Sequence, residues 1–80
     1  MKARQLIDGA SFGPNTLKVI RQAFDEAWAS IEESFVDTPS IVEIARLKLA
    51  EALLSVATED SRDPEVLKDA ALQVMARAYL

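Results

Sequence analysis

The chain contains neither cysteine nor histidine among its 80 residues, and it has only two glycines. The absence of cysteine excludes disulfide bonds and thiolate metal sites. The absence of histidine removes the commonest metal ligand and the most frequent general base at neutral pH. Two glycines leave no room for a glycine-rich loop that holds a phosphate. We therefore expect no enzyme activity, no catalytic residue, no cofactor and no metal site.

Long hydrophobic runs and a basic surface are missing as well. No uninterrupted apolar stretch approaches the roughly 18 residues that a membrane-spanning helix requires, and the first four residues, Met-Lys-Ala-Arg, lead into no signal-like apolar segment. Nine Lys and Arg against thirteen Asp and Glu give a net charge of −4, which provides no positive field for a phosphate backbone. We expect a cytoplasmic protein that binds neither nucleic acid nor membrane.

Half of the residues are hydrophobic and 28% are charged, a composition typical of a folded globular protein. Residues 1–80 are expected to form a single domain. A chain of this size buries only about 60% of the surface of its unfolded state. Such a small core rarely supplies more than roughly 3–5 kcal/mol, and with disulfides and metals excluded, oligomerisation is the remaining source of burial.

Three segments have the spacing and the start signals of long helices. The first begins at Pro14 and extends to about Phe35, since proline suits the first helical position. The second begins at about Pro39, where Thr38 and Ser40 are alternative capping residues. Each of these helices has an apolar stripe, so we expect the two to pack as neighbours across a short connection.

The third long helix begins at Pro64, after the capping carboxylate of Asp63, and runs to the C-terminus. Near the N-terminus, the segment Ala3–Ile7 predicts only a short helical turn. Asp8 and Gly9 end this turn, since glycine readily takes the left-handed conformation after a helix.

The segment Ile41–Ala57 carries two apolar stripes instead of one. The first stripe consists of Val42, Ala45, Leu49, Leu53 and Val56, and the second of Leu47, Ala50, Leu54 and Ala57. A helix that is apolar on two sides needs neighbours on both. Since the chain offers only two other long helices, we expect a second protein molecule to cover the second stripe.

Four residues off the principal stripes are the candidates for this intermolecular contact, namely Leu47, Leu54, Leu72 and Tyr79. Left uncovered, they would form a larger apolar patch than soluble monomers usually expose. They therefore predict a homodimer.

Arg46 and Trp28 lie on apolar faces, and each has two interpretations. Arg46 either extends along the edge of the core and pairs with a carboxylate, or it is a further interface residue, since arginine is enriched at interfaces. Trp28 lies on the apolar stripe of the first long helix, which favours burial in the core over a position at the centre of a subunit contact.

Three runs of residues carry a family resemblance: Ala23–Trp28, Ala45–Ala50 and Leu67–Leu72. With them, residues 12–72 resemble a group of small uncharacterised helical proteins from alphaproteobacteria. The resemblance implies a bacterial, cytosolic origin. It implies no activity and no catalytic residues.

Together these observations predict an all-α fold: a three-helix bundle with a short N-terminal helical turn, completed by homodimerisation. The function expected is that of a non-enzymatic protein–protein interaction or regulatory module, whose apolar surface receives a helical segment of another protein. The alternative is a small-molecule or lipid-binding module, in which the surplus apolar surface lines a cavity between helices.

Overall fold

A computed structural model describes the backbone of residues 2–35 and 39–79 and the side chains of residues 3–33 and 40–77. This part of the chain contains four α-helices, one short 3₁₀ helix and no strand. The α-helices are α1 (Lys2–Asp8), α2 (Pro14–Ile31), α3 (Pro39–Val56) and α4 (Pro64–Tyr79), and the 3₁₀ helix is Glu32–Phe35. All four α-helices pack together. The all-α prediction is confirmed, whereas the expected bundle of three helices is replaced by a packing of four.

The three prolines begin the three long helices, as the sequence predicts. Pro14 follows Gly13, whose extended backbone (φ −66°, ψ 163°) is typical of an N-cap residue. Ser40 lies inside α3, so it does not cap that helix. The other candidate cap, Thr38, lies outside the described residues.

The first long helix ends earlier than expected. Its α-helical part stops at Ile31, and residues 32–35 continue as a 3₁₀ helix. A tighter last turn is a frequent way to provide partners for the final carbonyl groups of an α-helix.

Helix α1 has a larger role than the predicted turn. Its Ile7 side chain is fully buried (0% exposed) and Ala3 is 1% exposed. Burying an isoleucine side chain stabilises a fold by about 1.5–3 kcal/mol. Two ion pairs join α1 to α2: Arg4 to Asp25 at 2.9 Å and Asp8 to Arg21 at 2.8 Å.

The end of α1 also differs from the expectation. Gly9 does not have a positive φ, so the predicted left-handed conformation is wrong. The N–H of Gly9 donates to the carbonyl of Gln5 at 3.0 Å, and the N–H of Ala10 donates to Ile7 at 3.1 Å. A tightened turn therefore ends the helix.

The core lies between all four helices. Trp28 is buried, as its position on the apolar stripe predicts. The largest fully buried side chains are Ile7, Ile20, Leu49 and Leu53. Two of them come from α3 and one each from α1 and α2, and α4 adds Leu67 and Ala71 to the core.

Most of the second stripe of α3 is used within the chain. Ala50 is fully buried, and Leu54 and Ala57 are partly buried and pack against the core. The prediction that α3 lacks a neighbour on one side assumed that only two other helices were available. Helix α1 packs against α3 as well. No helix in the described part of the chain is long and apolar enough to cross a membrane.

Candidate functional site

Exposed aliphatic side chains lie close together on α3. Ile41 is 44% exposed and Ile44 is 56% exposed, while Leu47 is half-buried. A spacing of three residues places consecutive members next to each other on a helix surface. We call Ile41, Ile44 and Leu47 the outer stripe of α3.

The outer stripe contains one of the predicted interface residues, Leu47. Leu54 and Leu72 are partly buried and pack against the core, so much of their surface is already covered within the chain. The side chain of Tyr79 lies outside the described side chains. The contact predicted for Leu47, Leu54, Leu72 and Tyr79 stays a prediction.

Ile41 and Ile44 were not identified from the sequence as contact residues, because they belong to neither of the two stripes assigned to α3. The sequence nevertheless indicates that Ile44 is exposed. Ile44 lies nine residues before Leu53, or two and a half turns at 3.6 residues per turn, which places it on the opposite side of the helix from that fully buried residue. An isoleucine opposite the centre of the core face is a candidate for an exposed contact.

The charges on α3 balance within the helix. It carries two acidic and two basic residues, so its formal net charge is zero, against −4 for the whole chain. Arg46 lies 3.8 Å from Glu43, and Lys48 lies 3.6 Å from Glu51. The charged side chains that α3 itself places beside the outer stripe therefore balance.

Arg46 lies at the edge of the core, and its side chain is 30% exposed. Its guanidinium carbon is 4.9 Å from the centre of the Trp28 ring. This distance is within the range of cation–π contacts, which contribute about 0.5–1 kcal/mol at exposed sites. The position agrees with the first interpretation of Arg46, and its role at an interface stays a prediction.

The loop between α3 and α4 holds the N-terminus of α2. The carboxylate of Glu59 accepts a hydrogen bond from the N–H of Gly13 at 3.1 Å. The hydroxyl of Thr16, a residue only 3% exposed, donates to the backbone carbonyl of Glu59 at 3.2 Å. Gly13 has no side chain with which to cap α2, so Glu59 provides the acceptor and the negative charge that a helix N-terminus favours.

Other polar side chains of this loop also accept hydrogen bonds from backbone N–H groups. The side chain of Asp63 accepts a hydrogen bond from the N–H of Glu65 at 2.9 Å, which confirms the predicted cap of α4. Ser61 and Thr58 close a turn, with the N–H of Thr58 donating to the hydroxyl of Ser61 at 3.0 Å. Among the described residues, no group of three or more acidic side chains is placed to hold a metal ion.

A pocket of about 300 Å³ lies between the end of α3, this loop and the first turns of α4. Its lining is apolar on the helix side and polar on the loop side, and consists of Val56, Asp60, Ser61, Arg62, Asp63, Val66, Leu67 and Ala70. Val66 is 66% exposed, so this pocket has an accessible apolar edge. Its mixed lining suits a small amphiphilic molecule better than a purely apolar one.

Comparison of the chain with known protein families, with curated protein sequences and with solved structures finds no match. The resemblance to small helical proteins of alphaproteobacteria stays a prediction.

Proposed function

We propose that this chain is a non-enzymatic protein–protein interaction module that acts through the outer stripe of α3. The observation that supports this proposal is the exposure of two large aliphatic side chains, Ile41 and Ile44, beside the half-buried Leu47. Contiguous exposed apolar residues mark interaction surfaces more often than scattered ones. Full burial of an exposed isoleucine contributes about 1.5–3 kcal/mol, and covering the part that is still exposed here contributes about half of that, before the costs of association are subtracted.

The arrangement of polar groups supports a binding role over catalysis. Cysteine and histidine are absent from the chain, and the carboxylates of Glu59 and Asp63 accept hydrogen bonds from backbone N–H groups at helix starts. Asp8 and Asp25 are engaged in ion pairs between α1 and α2. These groups stabilise the fold.

The test is site-specific photo-cross-linking in cells that express the protein. A benzophenone amino acid replaces Ile44 in one variant and Val66, the more exposed aliphatic residue of α4, in a matched control. We expect a discrete cross-linked product from position 44 and much less from position 66. If position 44 gives no product, or both positions give the same products, the proposal is wrong.

The second candidate function is binding of a small amphiphilic molecule, which the pocket beside Val66 supports. The probes are octanoate and octylammonium, followed by amide chemical shifts of the isotope-labelled protein. Saturable shifts confined to the pocket lining, and abolished by Ala70→Leu, are expected from this function. Shifts spread over the whole surface would argue against it.

A further inference from the structure

We propose that the partner of the outer stripe is a second copy of this chain, related to the first by a two-fold axis that passes beside Ile44. This inference rests on the proposed function and names the partner. Two features of α3 support it, the symmetry of the stripe and the balance of its charges.

The stripe is self-complementary. Ile44 lies at its centre, and Ile41 and Leu47 lie three residues before and after it. A two-fold axis that crosses the stripe reverses its direction in the partner, so Ile44 meets Ile44 and Ile41 meets Leu47 of the second copy. Ile41 is exposed and Leu47 is half-buried, so a protruding side chain meets a recessed one on each side of the axis.

The charges of α3 permit contact between identical molecules. Two copies of a chain with a net charge of −4 repel each other. Helix α3 has no net charge, and its ion pairs between Arg46 and Glu43 and between Lys48 and Glu51 form within the helix. A strongly basic or strongly acidic partner finds no excess of opposite charge here, whereas a second neutral stripe meets no penalty.

The geometry also limits the strength of the contact. Rows of residues spaced by three are inclined at about 45° to a helix axis, so two aligned stripes make the α3 helices cross steeply. Only a few side chains then meet, well below the roughly 800 Å² per partner of a standard interface. We therefore expect a monomer–dimer equilibrium that depends on protein concentration.

The absence of cysteine allows a direct test on the purified protein. Ile44→Cys places a single thiol beside the two-fold axis, and Val66→Cys places one on a more exposed position of α4 as the control. Under the same mild oxidation, we expect Ile44→Cys to form disulfide-linked dimers roughly tenfold faster, because the contact raises the effective concentration of the thiols.

The direction of the stripes is tested by mixing two variants. Ile41→Cys and Leu47→Cys, distinguished by a mass tag on one of them, are oxidised together. We expect the fraction of disulfide-linked dimers that contain one chain of each variant to exceed the fraction expected from random pairing, since positions 41 and 47 face each other across the axis. An excess of dimers of Ile41→Cys with itself would show stripes that run in the same direction and would overturn the proposed axis.

The outcomes also separate this inference from the proposed function. Equal oxidation rates for Ile44→Cys and Val66→Cys would exclude the second copy as partner. If photo-cross-linking at position 44 then yields a product with a different protein, the proposed function stands and only the second copy is rejected. If neither experiment gives a specific product, both proposals fail.

Discussion

Glu59 takes over a capping role that a residue beside α2 usually performs. The N-cap position of α2 is glycine, and the carboxylate that accepts its N–H comes from 46 residues further along the chain. Thr16 adds a second link, since its hydroxyl donates to the backbone carbonyl of the same residue. One residue, Glu59, therefore joins the start of α2 to the loop between α3 and α4 through its side chain and its backbone carbonyl.

We predict that Glu59→Ala lowers the free energy of unfolding by about 0.5–2 kcal/mol, the usual cost of losing a helix cap. Urea denaturation followed by circular dichroism measures this change. Glu59→Gln keeps an oxygen acceptor for Gly13 and removes the charge, so we expect a smaller loss. The matched control is Asp60→Ala, which removes the neighbouring exposed carboxylate. A loss as large for the control would contradict the capping role.

The sequence alone could not indicate this contact. Glu59 belongs to an acidic run of residues 59–63, and nothing in the run distinguishes it from Asp60. Its partner Gly13 carries no side chain, so the pattern at the start of α2 shows only the proline. A capping interaction between distant segments becomes visible only when the helices are packed.

At the level of the elements, α1 is the main departure from the expectation. Among the described side chains of this seven-residue helix, only Ala3 and Ile7 are buried, and two residues do not produce a strong periodic pattern, which is why the sequence predicts only a turn. Packing against α2 and α3 supplies the stability that a helix this short lacks on its own. The long helices were predicted well because prolines mark their starts and their stripes extend over four or more turns.

We predict that Ile7→Ala destabilises the fold by about 2–5 kcal/mol, since it removes a fully buried side chain. A small core supplies only roughly 3–5 kcal/mol in total, so most of the cooperative thermal transition should be lost. Leu6→Ala, on the 37% exposed neighbour, is the control and should unfold near the wild-type temperature. Similar effects of the two substitutions would mean that α1 is not part of the core.

The two ion pairs between α1 and α2 give a separate prediction. Both are largely exposed to solvent, with side-chain exposures between 41% and 56%. Exposed pairs contribute about 0.2–1 kcal/mol each and weaken with salt. We expect Asp8→Asn to lower stability by a few tenths of a kcal/mol in dilute buffer, and the difference from wild type should disappear in 1 M NaCl. A difference unaffected by salt would contradict an electrostatic origin.

For the whole molecule, the question is how much apolar surface remains after four helices have packed. The sequence correctly indicates that α3 is apolar on more than one side. It assigns the surplus to Leu47, Leu54, Leu72 and Tyr79, of which Leu54 and Leu72 are partly buried against the core. On α3, the exposed large aliphatic side chains among the described residues are Ile41 and Ile44.

This difference leads to contrasting expectations for two substitutions. Ile44→Glu should keep the chain folded, with a stability within about 0.5 kcal/mol of wild type, because surface changes rarely cost more. Light scattering should then show a monomer at every concentration, whereas the wild-type average mass rises with concentration.

Leu54→Glu should instead lower the midpoint temperature of thermal unfolding strongly, since it places a charge against the core. A stable, folded Leu54→Glu variant would show that this part of the second stripe is free after all.

The link between Glu59 and the start of α2 also affects how the protein folds during synthesis. Gly13 is translated 46 residues before Glu59, whose carboxylate accepts its N–H. At elongation rates of about 5–20 residues per second, this interval is roughly 2–9 s. Helix α2 is therefore synthesised before its distant cap, and its first turn lacks this acceptor until Glu59 has been added. Helix α2 can form before then, because a missing cap costs only about 0.5–2 kcal/mol, but it reaches its full stability only after the loop between α3 and α4 has been made.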